Sequence, residues 1–156
     1  MKLVIVESPY AASTKRQIEL NVQYARAAMR DCLKRGEAPY ASHLLYTQEG
    51  VLEDSCHEER MLGIEAGLRW GKHASATIVY FDLGISRGMQ MGIDRAVDEK
   101  RDVVFRSFNN LVDGLAETIE HRGRSRISMP IPYTPPDMED EQAKRVQDLL
   151  QRCLFR

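Results

Sequence analysis

Residues 76–96 read ATIVYFDLGISRGMQMGIDRA and join a short apolar run to a turn with glycine and serine, and then to a helical pattern. Residues 76–81 predict a buried strand, because the run is short, apolar and rich in β-branched and aromatic residues. Ser86 is a favourable N-cap for the helix that follows. A strand that passes through a tight turn directly into a helix predicts a βα unit of an α/β protein.

The same alternation of strand and helix extends outward from this unit. Further strands are predicted at residues 2–6, 38–41 and 102–105. Helices are predicted after Asn21, or after an earlier cap at Ser13 or Thr14, and again after Asp54 or Ser55. This alternation predicts a flavodoxin- or Rossmann-like α/β fold, with a parallel sheet of about four to five strands flanked by helices.

The C-terminal part of the sequence differs from the alternating region. Residues 107–121 predict a helix, residues 122–136 are rich in Arg, Ser and Pro, and Asp137 can cap a last charged helix. We therefore expect an α/β domain over residues 1–121 and a Pro-containing arm with a C-terminal helix over residues 122–156. The last helix is expected to pack on the body of the domain or on a partner chain.

Composition and charge exclude several classes of protein. The chain has 156 residues, with 22 Lys and Arg against 23 Asp and Glu, so it lacks the basic excess of proteins that bind a nucleic-acid polymer. The apolar run in MKLVIVESPY is too short for a signal peptide, and no run reaches the roughly 18 apolar residues of a membrane helix. We expect a cytoplasmic protein without a membrane partner.

The cysteines give no sign of a disulfide framework or a metal site. Cys32, Cys56 and Cys153 are far apart, odd in number and without a CxxC pair, which predicts reduced thiols. Cys56 stands beside His57, but adjacent helical residues point in different directions and make poor ligands of one ion. We predict no metal and no cofactor.

The ligand site is expected beyond the carboxyl ends of the strands, as in other open parallel sheets. Three loops of this sequence fall there, at residues 8–10, 42–46 and 82–88. Backbone N–H groups of Arg87, Gly88 and Met89 are expected to lie unpaired at the positive end of a helix dipole, where they would bind phosphate or carboxylate. The alternative is that Ser86 only caps the helix and that Gly84 and Gly88 only allow close packing.

Four stretches of the sequence together resemble a known family: VIVESPY, ASHLLYTQ, EERMLGIEAGL and DLGISRGMQMGIDRA. Over roughly residues 1–107 the chain is similar to the nucleoside 2-deoxyribosyltransferase-like superfamily, in particular to an uncharacterised branch frequent in bacteriophage and actinobacterial genomes. Characterised members are deoxyribosyltransferases and deoxynucleotide N-hydrolases. The resemblance implies a small flavodoxin-like protein that forms a dimer or larger homo-oligomer and takes a small-molecule nucleotide or nucleoside phosphate.

The resemblance also implies roles for individual residues. Residues 86–88 correspond to a Ser-x-Gly turn that holds a 5′-phosphate, and residues 8–10 to a loop that packs on nucleobase and sugar. Four residues past that glycine the hydrolases carry a glutamate that acts at the anomeric carbon, whereas this sequence has Gly92. Asp94 is a poor substitute, because two residues turn it by roughly 200° around the helix.

Other carboxylates and rings complete the predicted site. Asp82 and Glu7 stand at strand ends, and each is a candidate catalytic carboxylate or, alternatively, a loop cap or solvent-facing charge. His43 is a candidate hydrogen-bond partner or general acid, and Tyr10 and Tyr46 are candidates for stacking on a base; each alternatively only packs. The predicted ligand-binding residues are Ser8, Pro9, Tyr10, His43, Tyr46, Asp82, Gly84, Ser86, Arg87, Gly88 and Met89.

The sequence leaves two main functions open. In a third, the pocket is vestigial and the domain is an interaction module that only binds partners. The lack of a glutamate at Gly92 favours a protein that binds a phosphorylated nucleoside or nucleotide without turnover, as a sensor or by sequestering a nucleotide signal. The alternative is an N-glycosidase or deoxyribosyltransferase in which Asp82, Glu7 or a helix glutamate replaces the missing group. In an oligomer, the arginines of the arm either contact phosphate in a neighbour's pocket or form a solvated loop; they are Arg122, Arg124 and Arg126.

Overall fold

The computed structural model describes residues 1–112, 114–121, 144, 147–148 and 150–152. The strands in this part of the chain are β1 (Lys2–Glu7), β2 (Glu37–Tyr40), β3 (Ala76–Tyr80), β4 (Asp102–Val112) and β5 (Leu115–His121). The helices are α1 (Lys15–Lys34), α2 (Ser42–Leu45), α3 (His57–Trp70) and α4 (Arg87–Asp98), with a short 3₁₀ helix at Gly71–His73.

The strands form one sheet in the order β2-β1-β3-β4-β5. β1 pairs in parallel with β2 and β3, and β3 pairs in parallel with β4. Only β5 runs antiparallel to its neighbour, β4. The predicted α/β fold, with a mainly parallel sheet of four to five strands flanked by helices, is confirmed.

The two faces of the sheet pack against different helices. Val4 and Val6 are buried in a cluster with residues of α1, whereas Ile93 of α4 is buried in a second cluster with residues of β3 and β4. Side chains alternate between the two faces along a strand. Ile5 and Glu7 of β1 therefore face the α4 side of the sheet.

Residues 107–121 do not form the predicted helix. β4 continues as far as Val112, which pairs with Leu115 of β5 in an antiparallel hairpin. Gly114 has a φ of 74°, in the left-handed region that glycine adopts without steric cost. The sequence Asp113-Gly114 is a typical hairpin signal, and here it outweighs the helical spacing of the apolar residues.

The helix starts agree with the predicted caps in two cases. Thr14 caps α1, with its Oγ1 accepting a hydrogen bond from Gln17 N at 3.3 Å, so the earlier start is the one adopted. Asn21 lies inside α1, where its Nδ2 donates to the carbonyl oxygen of Tyr10 at 2.8 Å. Ser86 caps α4 as predicted.

α3 is less buried than its apolar spacing predicts. Cys56 is its N-cap residue, rather than Asp54 or Ser55, and makes no side-chain capping hydrogen bond. Gly67 is its buried residue, whereas Trp70 is 52% exposed. α3 therefore forms an outer wall beside the sheet and contributes little to the core.

Cys32 and Cys56 are free thiols, and Cys153 lies outside the described residues. Cys32 is buried, and its Sγ lies 3.4 Å from the hydroxyl of Tyr80. Burial raises the pKa of the Cys32 thiol to about 12, so it stays protonated and unreactive at neutral pH.

Most of the predicted arm lies outside the described residues, including Arg122, Arg124 and Arg126. Where the last segment is described, at residues 144, 147–148 and 150–152, it is helical. Leu150 is buried in the same cluster as residues of α1. The division into domain and arm, and the homo-oligomer, stay predictions. Among the described residues, no helix is both long and apolar enough to cross a membrane.

Candidate functional site

A cavity of about 100 Å³ lies on the α4 side of the sheet, between β1, α3 and α4. Residues from all three predicted loops border it. The predicted site residues that line it are Glu7, Ser8, Tyr10, His43, Ser86, Gly88 and Met89. Lining residues that were not among the predicted site residues include Ser42, Asp54, Arg60, Gly71 and Arg101.

The carboxyl group of Glu7 lies directly against the backbone of Gly92. Glu7 ends β1, and Gly92 faces it from the middle of α4. A Cβ atom placed on Gly92 would lie 2.5 Å from Cδ of Glu7 and closer still to Oε1. The Glu7 carboxyl thus occupies the space that any side chain at position 92 would need.

Glu7 has an unusual electrostatic environment for a carboxyl group. Its side chain lines the cavity, and nothing in the described part of the chain hydrogen-bonds or ion-pairs with the carboxyl. Burial raises its pKa to about 8, and the positive charge of Arg101 opposes that rise. Glu7 is therefore largely protonated at neutral pH and able to donate a proton into the cavity.

Ser8 and His43 form a polar pair at the cavity wall. Ser8 Oγ lies 2.8 Å from Nε2 of His43, and Ser8 is buried. Burial lowers the pKa of His43 to about 4, so the imidazole is neutral at pH 7. The ring of Tyr10 is tilted against that of His43, with centroids 6.3 Å apart. These three residues present neutral hydrogen-bonding groups and an aromatic face.

The N-terminus of α4 borders the cavity at Ser86 and Gly88. Ser86 Oγ accepts a hydrogen bond from Met89 N at 3.3 Å, and Ser86 N donates to Met89 Sδ at 3.4 Å. The N–H of Met89 is therefore engaged by the cap and is not free to bind an anion, contrary to the prediction. The N–H groups of Arg87 and Gly88 are the two of the predicted three that this cap does not engage.

Arg101 is a buried charge in the cavity wall that sequence reasoning missed. Its Nε donates to Thr77 Oγ1 at 3.0 Å, and its Nη1 donates to the Gly71 carbonyl at 2.6 Å and to Glu99 Oε2 at 2.5 Å. A Cβ on Gly71 would lie 2.8 Å from Nη2 of Arg101. No motif marks this arginine, because its partners come from three separate segments of the chain.

Residues 2–106 match the family model DUF7768, described as a domain of unknown function. The chain belongs to this family. No curated protein matches it.

One solved structure similar to this DUF7768 chain is a 2-deoxyribosyltransferase from Bacillus psychrosaccharolyticus. The TM-score is 0.50 and the identity 14%, over 71% of this chain and 77% of the other. At this level of identity the likeness shows a shared fold. It agrees with the fold that the sequence resemblance implied.

Asp82 lies outside the cavity lining of the DUF7768 domain. Its Oδ2 accepts a hydrogen bond from the Tyr24 hydroxyl and its Oδ1 one from Ser107 Oγ, both at 2.5 Å. The backbone N–H groups of Phe108 and Asn109 donate to the same carboxylate at 2.9 and 3.2 Å. Asp82 therefore ties the end of β3 to α1 and to the middle of β4, and the geometry gives it a structural task.

Four other predicted site residues do not line the cavity. The hydroxyl of Tyr46 accepts a hydrogen bond from Trp70 Nε1 at 3.0 Å, at the C-terminal end of α3. Pro9 is fully buried, Gly84 is a turn residue with a φ of 85°, and Arg87 is exposed. Their predicted ligand contacts stay predictions.

A wider groove of about 690 Å³ adjoins the cavity. Tyr10, Ala11, Asp54 and Arg60 line both, so the two spaces share a boundary. At this boundary Arg60 Nη1 pairs with Asp54 Oδ2 at 2.6 Å. The remaining charged residues of the groove are carboxylates, namely Glu49, Glu53 and Glu59.

Proposed function

We propose that the cavity of this domain binds a phosphorylated nucleoside or nucleotide. The observation that carries the proposal is the meeting of three segments around one cavity: the end of β1 with residues 8–10, His43, and the N-terminus of α4. Such a place, at the carboxyl ends of parallel strands, is where α/β sheets bind ligands. The fold shared with a 2-deoxyribosyltransferase supports a nucleoside as the ligand.

In the proposed complex, the phosphate accepts hydrogen bonds from the N–H groups of Arg87 and Gly88 at the positive end of α4. The sugar lies beside Glu7 and Gly92. The base meets the ring of Tyr10, which stacks on it. Phosphate, sugar and base thus follow one another across the cavity, from the N-terminus of α4 to the ring of Tyr10.

The cavity holds only part of such a ligand. Its volume of about 100 Å³ is below the range of about 300–1,000 Å³ usual for ligand pockets. The base therefore extends past Tyr10 into the groove. The groove carries Glu49, Glu53 and Glu59, and its arginine, Arg60, is already paired with Asp54. The groove therefore repels a phosphate, which leaves the N-terminus of α4 as the phosphate site.

Cleavage of the N-glycosidic bond is a second candidate function, and a specific observation favours it. Cleavage needs a carboxyl group near the anomeric carbon. Glu7 supplies one at the surface of α4, although position 92 itself is glycine. Without turnover, the same pocket would sense or sequester its nucleotide.

The binding proposal is tested by the effect of 5′-monophosphates and of the corresponding nucleosides on the melting temperature of the purified protein. We expect the monophosphates to bind more tightly, and Ser86→Ala with Arg87→Ala to weaken the monophosphates more than the nucleosides. Arg30→Ala, an exposed arginine of α1, is the control and should leave both unchanged. Equal weakening of both ligand classes would contradict the phosphate site, and no binding of either would contradict the proposal.

A further inference from the structure

We propose that Glu7 is a catalytic residue and that β1, not α4, supplies the acid that cleaves the N-glycosidic bond of the bound nucleotide. This inference rests on the proposed function and names the chemistry of the same cavity. It assigns Gly92 the complementary task of leaving room for the Glu7 carboxyl.

Two unfavourable features coincide where Glu7 meets Gly92. A glycine in the interior of a helix destabilises it relative to alanine. A half-buried carboxyl without a hydrogen-bond partner from the described chain adds a desolvation cost, which the raised pKa reflects. A purely structural glutamate would gain a partner, as Glu37 does from Arg106 at 2.7 Å. The two costs are explained together if the carboxyl must stand free at this point of the cavity.

The position of the carboxyl also suits the proposed ligand. Gly92 follows Gly88 by four residues, so the Glu7 carboxyl stands about one helical turn, or about 6 Å, along α4 from the proposed phosphate site. A pentose 5-phosphate places its anomeric carbon across the sugar ring from the phosphate, at a similar separation. The carboxyl therefore faces the glycosidic bond rather than the phosphate.

The reaction balances with water as the second substrate. The bond between C1′ and the base nitrogen breaks, its electron pair goes to the nitrogen, and that nitrogen takes the proton of Glu7. The carboxylate so formed faces the positive charge that develops on the sugar. Water then adds to C1′ and returns a proton to Glu7, which gives free base and sugar phosphate.

The test combines removal of the carboxyl with its transfer to the other element. The full-length protein is incubated with each deoxynucleoside 5′-monophosphate, and free base is measured by mass spectrometry. Glu7→Gln should lower base release at least 100-fold and still bind the monophosphate, because it keeps the shape and removes the proton. Gly92→Glu should be inactive, since its side chain collides with Glu7, whereas Glu7→Ala combined with Gly92→Glu should recover part of the release.

A control variant and three further outcomes decide whether the inference holds. Glu19→Gln, on the exposed surface of α1, is the control and should release base at the wild-type rate. Unchanged release by Glu7→Gln would overturn the inference. Monophosphates that bind but are never cleaved by the wild-type protein would also overturn it and leave the binding function intact. Failure of every monophosphate to bind would overturn the proposed function and this inference together.

Discussion

Replacing Gly92 by alanine tests the contact on which the site depends. In an open helical position, the change from glycine to alanine stabilises a protein by about 1 kcal/mol. At position 92 the new Cβ overlaps the Glu7 carboxyl, and overpacking of this kind costs about 1–3 kcal/mol. The carboxyl ends a flexible side chain beside a cavity, so we take the lower half of that range. The two effects then cancel, or leave Gly92→Ala less stable by up to about 1 kcal/mol.

The same substitution should behave differently once the carboxyl is gone. In a Glu7→Ala background, Gly92→Ala should stabilise the protein by about 1 kcal/mol, which gives a coupling of about 1–2 kcal/mol between the two positions. Urea unfolding followed by circular dichroism measures the four free energies. Gly88→Ala is the matched control, because its Cβ would lie 3.9 Å from the nearest atom, Ser86 Oγ. Equal effects of Gly92→Ala in both backgrounds would refute the contact.

Three further predictions concern single groups. Burial raises the Glu7 pKa from 4.5 to about 8. Between pH 4.5 and about 8 the folded state therefore binds a proton that the unfolded state has released. The free energy of unfolding then falls as pH rises, by up to about 1.4 kcal/mol per pH unit. Urea unfolding at several pH values should show that slope reduced in Glu7→Gln, and an identical slope would contradict the burial of the acid. His43 has its pKa lowered to about 4, so its ring resonances in NMR spectra should stay constant from about pH 5 to 8, against a midpoint near 6.5 if it were exposed. Asp82→Asn should lower the free energy of unfolding by about 2–4 kcal/mol, because it weakens the hydrogen bonds that the carboxylate accepts from Tyr24 and Ser107. At low temperature, where the variant is still folded, nucleotide binding should be unchanged. A variant of full stability that no longer binds nucleotide would instead place Asp82 in the site.

The parallel part of the fold was predictable from local sequence signals. The run at residues 76–81, the cap at Ser86 and the apolar start of the chain each identify an element without reference to the others. The hairpin of β4 and β5 was missed because residues 107–121 also show helical spacing. Asp113-Gly114 carried the correct signal, and long-range bonds to Asp82 stabilise the strand.

The candidate site was predictable in outline, because the loops that follow parallel strands meet at one edge of the sheet. Its chemistry was harder to foresee. In the sequence, Gly92 indicates only that the family's glutamate is missing at that position. The carboxyl that occupies the space beside Gly92 belongs to Glu7, which lies 85 positions earlier in the chain, and no local pattern connects the two residues. Arg101 was invisible for the same reason. Contacts between distant segments decide both roles, and one sequence does not reveal them.

The catalytic role of Glu7 is tested most directly by the time course of free base released from deoxynucleoside 5′-monophosphates by the wild-type protein and by Glu7→Gln. We predict release in proportion to enzyme and time for the wild type, and release at least about 100-fold slower for Glu7→Gln, although both bind the monophosphate. Intact nucleotide recovered from the wild-type protein, with no free base, would contradict the role of Glu7 and leave a binding protein in its place.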